Sequence, residues 1–361
     1  MAELFEKRIN RLRTMLADQQ AALMTNEANI GYCCGFFYSE GSFLLTSEKA
    51  YLFVDFRYIE AARCYAQCCE VICFKNFSEE LLAVLCADHI QSVIIEANDL
   101  TVARLHFFRE NLEPSGITVV DDGSLDKQIF DCRIIKDKNE LTRMHTAQKI
   151  AEKAYLEMLN DVKPGITERR LAARLEYLMK LYGAEDISFD LITITGKKTS
   201  LPHGVPSDAA ICEGDFFTCD FGAVYEGYHS DTTRTVAVGY ATDEMAHIYE
   251  IVLSAQLAAR KTVKEGTPCA LVDKAARDVI DREGYGEYFG HATGHGVGLA
   301  IHEAPAVSIR SEETLHEGMV ITDEPGIYLP QRFGVRIEDM LYVTKDGCQN
   351  LVSLPKELII L

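Results

Sequence analysis

Four landmarks in the second part of this chain recur about a hundred residues later, in the same order. Val162-Lys163-Pro164-Gly165 returns as Val263-Lys264-Glu265-Gly266, 101 residues on. Each copy opens an amphipathic segment that ends in a glycine, Gly183 or Gly284, where a helix C-terminal cap is expected. Leu171, Leu175 and Leu178 form the apolar stripe of the first. Thr267 and Pro268 read as the N-cap and first helical residue of the second. Next comes a histidine three residues before a proline, His203 to Pro206 and His302 to Pro305, and then an acidic hairpin. A duplicated unit of this size predicts two like halves facing each other about a pseudo-two-fold axis.

The hairpins hold the chemistry. Asp220 and Asp231 flank one turn near Val224 to Gly227, and Glu324 and Glu338 flank another near Leu329 to Phe333. Antiparallel pairing about those turns puts each pair directly opposite on one face, with Cβ atoms roughly 5 Å apart. Like charges so placed repel, and a fold that does this twice calls for a cation. Between the hairpins in sequence lies His295, set in Gly294-His295-Gly296. Four carboxylates and one imidazole suit Mn(II), Co(II), Fe(II) or Zn(II). Calcium fits less well, because of the imidazole and the lack of an EF-hand loop. Two such ions roughly 3.5–4 Å apart acidify a shared water and polarise a carbonyl, which points to hydrolysis. His203 and His302, matched by the repeat, then suit a substrate carbonyl or carboxylate.

A chain of 361 residues exceeds one ordinary core. We read residues 1–130 as an N-terminal α/β domain and 131–361 as the domain carrying the repeat. In the first, residues 4–18 carry helical spacing. Ala21–Met24, Ser42–Leu45, Ala50–Val54 and Gln91–Ile95 read as strands, and Leu81–Ala87 and Val102–Leu112 as helices. Residues 113–138, rich in Pro, Gly and Asp, read as the boundary, and a long helix follows from about Lys138 to Leu159. The balance of 36 basic against 55 acidic side chains, a net charge of −19, disfavours nucleic acid and anionic membrane. No apolar run approaches a membrane span, and the charged N-terminus does not resemble a secretory signal. The 12 cysteines therefore read as reduced thiols of a cytoplasmic protein, and the group Cys64, Cys68, Cys69 and Cys73 as buried small side chains rather than a metal or redox site.

In order, Leu201-Pro202-His203-Gly204, Asp220-Phe221-Gly222-Ala223, Ser230-Asp231-Thr232-Thr233-Arg234-Thr235, Gly294-His295-Gly296-Val297-Gly298-Leu299, Ile301-His302-Glu303, Glu324-Pro325-Gly326-Ile327-Tyr328 and Gly334-Val335-Arg336-Ile337-Glu338-Asp339 resemble the proline-specific metallopeptidases. These are the Xaa-Pro aminopeptidases and Xaa-Pro dipeptidases (prolidases). Gly35-Phe36 and Val54-Asp55-Phe56-Arg57-Tyr58 are similar to the creatinase-like domain of the same proteins. The resemblance implies an α+β chain: a pita-bread catalytic domain with a pseudo-two-fold repeat behind a creatinase-like α/β domain. It implies Asp220, Asp231, His295, Glu324 and Glu338 as ligands of two divalent ions, manganese first among them. Asp231 and Glu338 would bridge, and Glu324 would shuttle the proton of the ion-bound water that attacks. It places His203 and His302 at the substrate, with His291 and Arg336 in support, and Arg336 orienting Glu338. It also implies small proline-containing peptides as substrates and a homodimer. Lys197 and Lys198 make the approach to His203 basic, which suits a carboxylate-bearing substrate, although two solvated loop lysines read equally well. Arg57 and Tyr58 read as packing residues. Dipeptidase and aminopeptidase stay open, as do a different amide hydrolase and a non-catalytic binding protein on the same fold.

Overall fold

The computed structural model describes residues 2–37 and 40–361. The chain separates into two compact units, Met1–Arg133 and Ile134–Leu361.

In the first unit, apolar runs of four or five residues build a six-stranded sheet. Its spatial order is Glu70–Cys73, Ala50–Val54, Ser42–Leu45, Gln20–Met24, Ser92–Ile95, Thr118–Val120. The sheet is mixed. Ser42–Leu45 pairs antiparallel with both neighbours, and the outer pairings are parallel. Leu23, Phe53, Val93, Phe108 and Leu112 lie in its core. The helices include Ala2–Arg13, Phe77–Ala87 and Val102–Leu112. Residues 113–138 are not a bare linker, for they contain the strand Thr118–Val120 and the helix Ser124–Arg133. Cys64, Cys68 and Cys73 are exposed and Cys69 is half-buried, which corrects their reading as buried side chains. The Glu70–Cys73 strand lies at the sheet edge, with Glu70 and Cys73 exposed and Val71 and Ile72 half-buried. Arg57 is 61% exposed and paired with Asp55 and Glu40, so it does not pack in a core, while Tyr58 is half-buried.

The second unit is built twice, as the repeat requires. Asp137 caps the helix Lys138–Met158 through a capping box with Glu140, and the helix Glu168–Leu181 follows under an N-cap from Thr167. Then come the antiparallel strands Ile192–Thr195, Phe216–Phe221 and Thr232–Ala237. The second half repeats this with the helices Asp243–Thr262 and Cys269–Arg282 and the strands Gly294–Gly296, Val320–Asp323 and Asp339–Thr344. Both repeated second helices have 14 residues. Gly183 and Gly284 take positive φ just beyond them. Thr267 does not cap. Its hydroxyl donates to the Thr262 carbonyl at 2.9 Å, and extended Pro268 becomes the last residue before the helix. The apolar faces of the helix pair 243–262 and 269–282 close over the second half-sheet, burying Val252, Val272, Ile321 and Leu341. This is the pita-bread architecture that the resemblance implies. The half-sheets meet where Thr235 Oγ1 reaches the Arg336 carbonyl at 3.1 Å and the Glu338 amide donates to the Thr233 carbonyl at 3.2 Å.

Candidate metal centre

At that junction the hairpins deliver their acids, by different registers. In the first, Asp220 pairs with Thr233, not with Asp231. The turn centres on Glu226-Gly227, both at positive φ, which moves the register by two. Asp231 therefore lies diagonal to Asp220 on the same face. The second hairpin keeps the expected register. Asp323 faces Asp339 and Gly326 faces Arg336, so Glu324 and Glu338 fall opposite each other between the two ladders. Pro325, which has no amide hydrogen, lies in that break.

Glycines let the strands close. A Cβ on Gly222 would lie 1.8 Å from the Ser230 carbonyl oxygen, and one on Gly294 would lie 2.1 Å from that of Thr322. A bulge between His295 and Gly296 turns the imidazole toward the acids.

One ligand atom from each of Asp231, His295 and Glu338 falls within 4.8 Å of the others. His295 Nε2 stands 3.5 Å from Asp231 Oδ2 and 3.5 Å from Glu324 Oε1. Its Nδ1 is 3.0 Å from the Gly296 carbonyl, which can only accept, so Nδ1 carries the proton. Burial lowers the His295 pKa to about 4, leaving the ring neutral with the Nε2 lone pair facing two carboxylates. Burial, then repulsion from neighbouring acids, pushes Asp231 and Glu338 well above the usual carboxylate range; burial, opposed by Arg336 and aided by Asp220, carries Glu324 to about 7. Asp220 Oδ1 is buried with no hydrogen-bond partner. Lone pairs converge here without donors between them, which is the arrangement that fits divalent cations.

The acids are held from behind. Arg336 Nη2 binds Asp220 Oδ2 at 2.6 Å, while its Nε reaches Thr233 Oγ1 at 3.0 Å. Thr233 in turn donates to Glu338 Oε2 at 2.7 Å. Arg336 thus grips Asp220 directly and reaches Glu338 through Thr233. Thr322 does the same for Glu324, donating to Oε1 at 3.1 Å while accepting the His295 amide at 3.0 Å. The Tyr328 hydroxyl accepts from Arg336 Nη1 at 3.0 Å and donates to His291 Nε2 at 2.8 Å. The His291 Nδ1–H points at the Ala292 carbonyl, 2.8 Å away, and burial lowers its pKa to about 4. Arg234 spends its donors on the Thr233 and Glu338 carbonyls, Asp339, and the Leu354 and Pro355 carbonyls.

His302 and His203 are exposed. The His302 ring centroid is 4.5 Å from that of His295. The loop with His203 docks on Arg336 through the Pro202 carbonyl at 3.2 Å. Lys198 is neither a solvated lysine nor a charge open to substrate, because its ammonium is 2.5 Å from the buried Glu168 carboxylate. Lys197 is exposed. Asp323, on the opposite face from Glu324, is buried with neither oxygen hydrogen-bonded, and burial raises its pKa well above the carboxylate range. Thr233, Thr322, Tyr328 and Arg234 carry no assignment from sequence, although Tyr328, Thr233 and Arg234 stand inside quoted motifs. The available signal was spacing: Thr233 stands two residues from Asp231 and Thr322 two from Glu324, so on a strand each shares a face with an acid.

Residues 142–345 match the model of metallopeptidase family M24, and residues 8–134 match the creatinase/prolidase N-terminal domain. The chain belongs to metallopeptidase family M24. It is 41% identical over 340 residues to an Xaa-Pro dipeptidase of Pyrococcus horikoshii, covering 94% of each chain. Among solved structures it resembles an Xaa-Pro dipeptidase from Bacillus anthracis, with 39% identity, a TM-score of 0.94, and 99% and 100% of the two chains covered. It also resembles an X-Pro aminopeptidase from Thermotoga maritima, with 34% identity, a TM-score of 0.91 and 99% coverage of both chains. As a member of the M24 family the protein is a peptidase that works with divalent metal ions.

Proposed function

We propose that this peptidase hydrolyses the bond between an N-terminal residue and proline, with Asp220, Asp231, His295, Glu324 and Glu338 holding two divalent ions, manganese first among the candidates. The observation that carries the reading is the convergence of His295 Nε2 on Asp231 and Glu324 at 3.5 Å with no donor between them. The relatives named for Xaa-Pro substrates supply the bond class. Bound ions would acidify a water and polarise the scissile carbonyl.

The chain's own residues do the rest. Glu324 takes the proton of the attacking water and passes it to the proline nitrogen as the bond breaks. Thr322 fixes the Glu324 oxygen that faces His295. His302, exposed beside His295, donates to the oxygen that gains charge on the scissile carbonyl. His203 meets the substrate from the other half. Arg336 holds Asp220 in place, and His291 holds the Tyr328 hydroxyl against Arg336. The proline amide has no hydrogen to donate, and its rigid ring is a shape that a pocket can read. The reading extends to a cytoplasmic homodimer acting on small peptides, and exposed thiols such as Cys64 and Cys212 fit a reducing compartment.

The test is hydrolysis of Ala-Pro and Ala-Pro-Pro-Ala after chelation and re-addition of Mn(II), Co(II) or Zn(II). Ion-dependent cleavage of the dipeptide alone assigns a dipeptidase, and cleavage of the longer peptide an aminopeptidase. Ion binding without cleavage of either would overturn the Xaa-Pro reading.

A further inference from the structure

Behind each exposed histidine loop lies a lysine–glutamate pair that is not among the five proposed ligands. In the second half, Lys136 Nζ is 3.1 Å from Glu303 Oε2, with the two side chains only 1% and 10% exposed. The other Glu303 oxygen accepts the Ala300 amide at 3.0 Å. A Cβ on Gly298 would lie 2.6 Å from Glu303 Oε2, so the carboxylate occupies space that a side chain there would take. Glu303 thus closes the turn 298–303 from inside, and His302 stands on that turn.

The first half repeats the device from different sequence positions. Glu168, wholly buried, accepts from Lys198 Nζ at 2.5 Å, from the Thr195 amide at 2.8 Å, and from Ser207 N and Oγ at 2.9 and 2.8 Å. Lys198 donates onward to the Val205 carbonyl at 2.7 Å, and His203 lies between these anchors in the chain. In one half the lysine belongs to the histidine loop. In the other it is the glutamate. Buried ion pairs are poor stabilisers, and apolar pairs of equal volume often serve a fold as well. An apolar pair lacks the directional hold on backbone donors that both pairs exert here.

We propose that Lys136 is a positioning residue that acts through Glu303 to fix His302 against the acid cluster. The proposal rests on the reading of His302 as a substrate-contacting group. Lys136→Met alone leaves a buried carboxylate unpaired and lowers the melting temperature. The double variant Lys136→Met/Glu303→Leu removes both charges and should regain most of that loss while keeping its full ion content. Its kcat on the Xaa-Pro peptide should nonetheless stay down by about 10²-fold, as for a group displaced from its working geometry, with little change in KM. Adding His302→Gln to the double variant should cost little more, because the two changes remove one function. Recovery of kcat together with stability, or full additivity with His302→Gln, would overturn the proposal.

If the ion-loaded wild type cleaves no Xaa-Pro peptide, the functional reading has failed, and the clamp is then read without activity. In protein labelled with ¹³C-histidine, the His302 ring signal is the one lost in His302→Gln. A shifted His302 signal in the double variant supports the clamp, and an unmoved one refutes it.

Discussion

At the scale of single residues, the candidate site is a set of acceptors held by donors placed behind it. Arg336 holds Asp220 Oδ2, Thr233 holds Glu338 Oε2 and Thr322 holds the Glu324 oxygen that faces His295, while Tyr328 ties Arg336 to His291. Removing one of these groups should disturb ion affinity more than fold. Thr233→Val, which keeps the volume and loses the bond to Glu338, is expected to weaken ion binding or activity by about 10–100-fold. Calorimetric ion titration beside a melting curve checks it. Arg336→Lys keeps a charge but cannot span Asp220, Thr233, Tyr328 and Pro202 at once. A loss of the same order is expected, with Asp220 the carboxylate most affected. Asp231→Ala should abolish ion binding at the cluster, and an unchanged ion count would remove Asp231 from the ligand set.

At the scale of elements, the two hairpins solve one problem by two registers. The first reaches its geometry through a turn at Glu226-Gly227 and the close approach of Gly222 to Ser230. Gly222→Ala would force those strands apart at the point where Asp231 leaves the ladder. A destabilisation of about 1–3 kcal/mol is expected, the range for overpacking a buried site, with weakened ion binding. Denaturant melts of ion-loaded and chelated protein separate the two effects. This hairpin is also where sequence reading fell short. The acids, the turn region and the shared face were legible, but a two-residue shift of register keeps every side chain on its face, so alternation cannot detect it. In the second hairpin no such shift arose, and Glu324 meets Glu338 as the spacing implies.

Across the whole molecule, the cost of gathering buried acids should appear as a pH dependence that ions remove. Asp231, Glu324 and Glu338 have folded pKa values above their unfolded ones. The stability they permit is complete below the unfolded carboxylate range and is lost as pH rises through the folded values, near 7 for Glu324. His291 and His295, both lowered to about 4, act the other way: their contribution is complete above the unfolded histidine value and fades as pH falls toward 4. The opposing trends overlap in mild acid, so the clean window opens above the unfolded histidine value, roughly pH 6.5. Chelated protein should melt progressively lower across that window, by roughly 2–4 °C for each kcal/mol lost. Ion-loaded protein should fall less steeply, because ions would take the place of protons on Asp231, Glu324 and Glu338, while Asp323 outside the cluster keeps its own dependence. A flat chelated profile would mean that the acids are not packed against one another.

By itself the sequence determined the duplicated half-unit, the five clustered candidates and most strand positions, because each is written in local pattern: a displacement near one hundred, alternation along strands, glycines at helix ends. Tertiary structure alone decided which partner each charged group takes. Lys198 stands in a loop that local pattern leaves open to substrate or solvent, and the fold sets it on Glu168, 30 residues earlier in the chain. Spacing ties Arg336 to its neighbour Glu338, and the fold gives it Asp220 from the other half of the repeat. Glu303 draws Lys136 from 167 residues away. A burial pattern fixes the face on which a side chain lies, but the pairing of buried charges follows from how the two halves meet, since each desolvated group must find its counter-charge wherever the packed fold brings one.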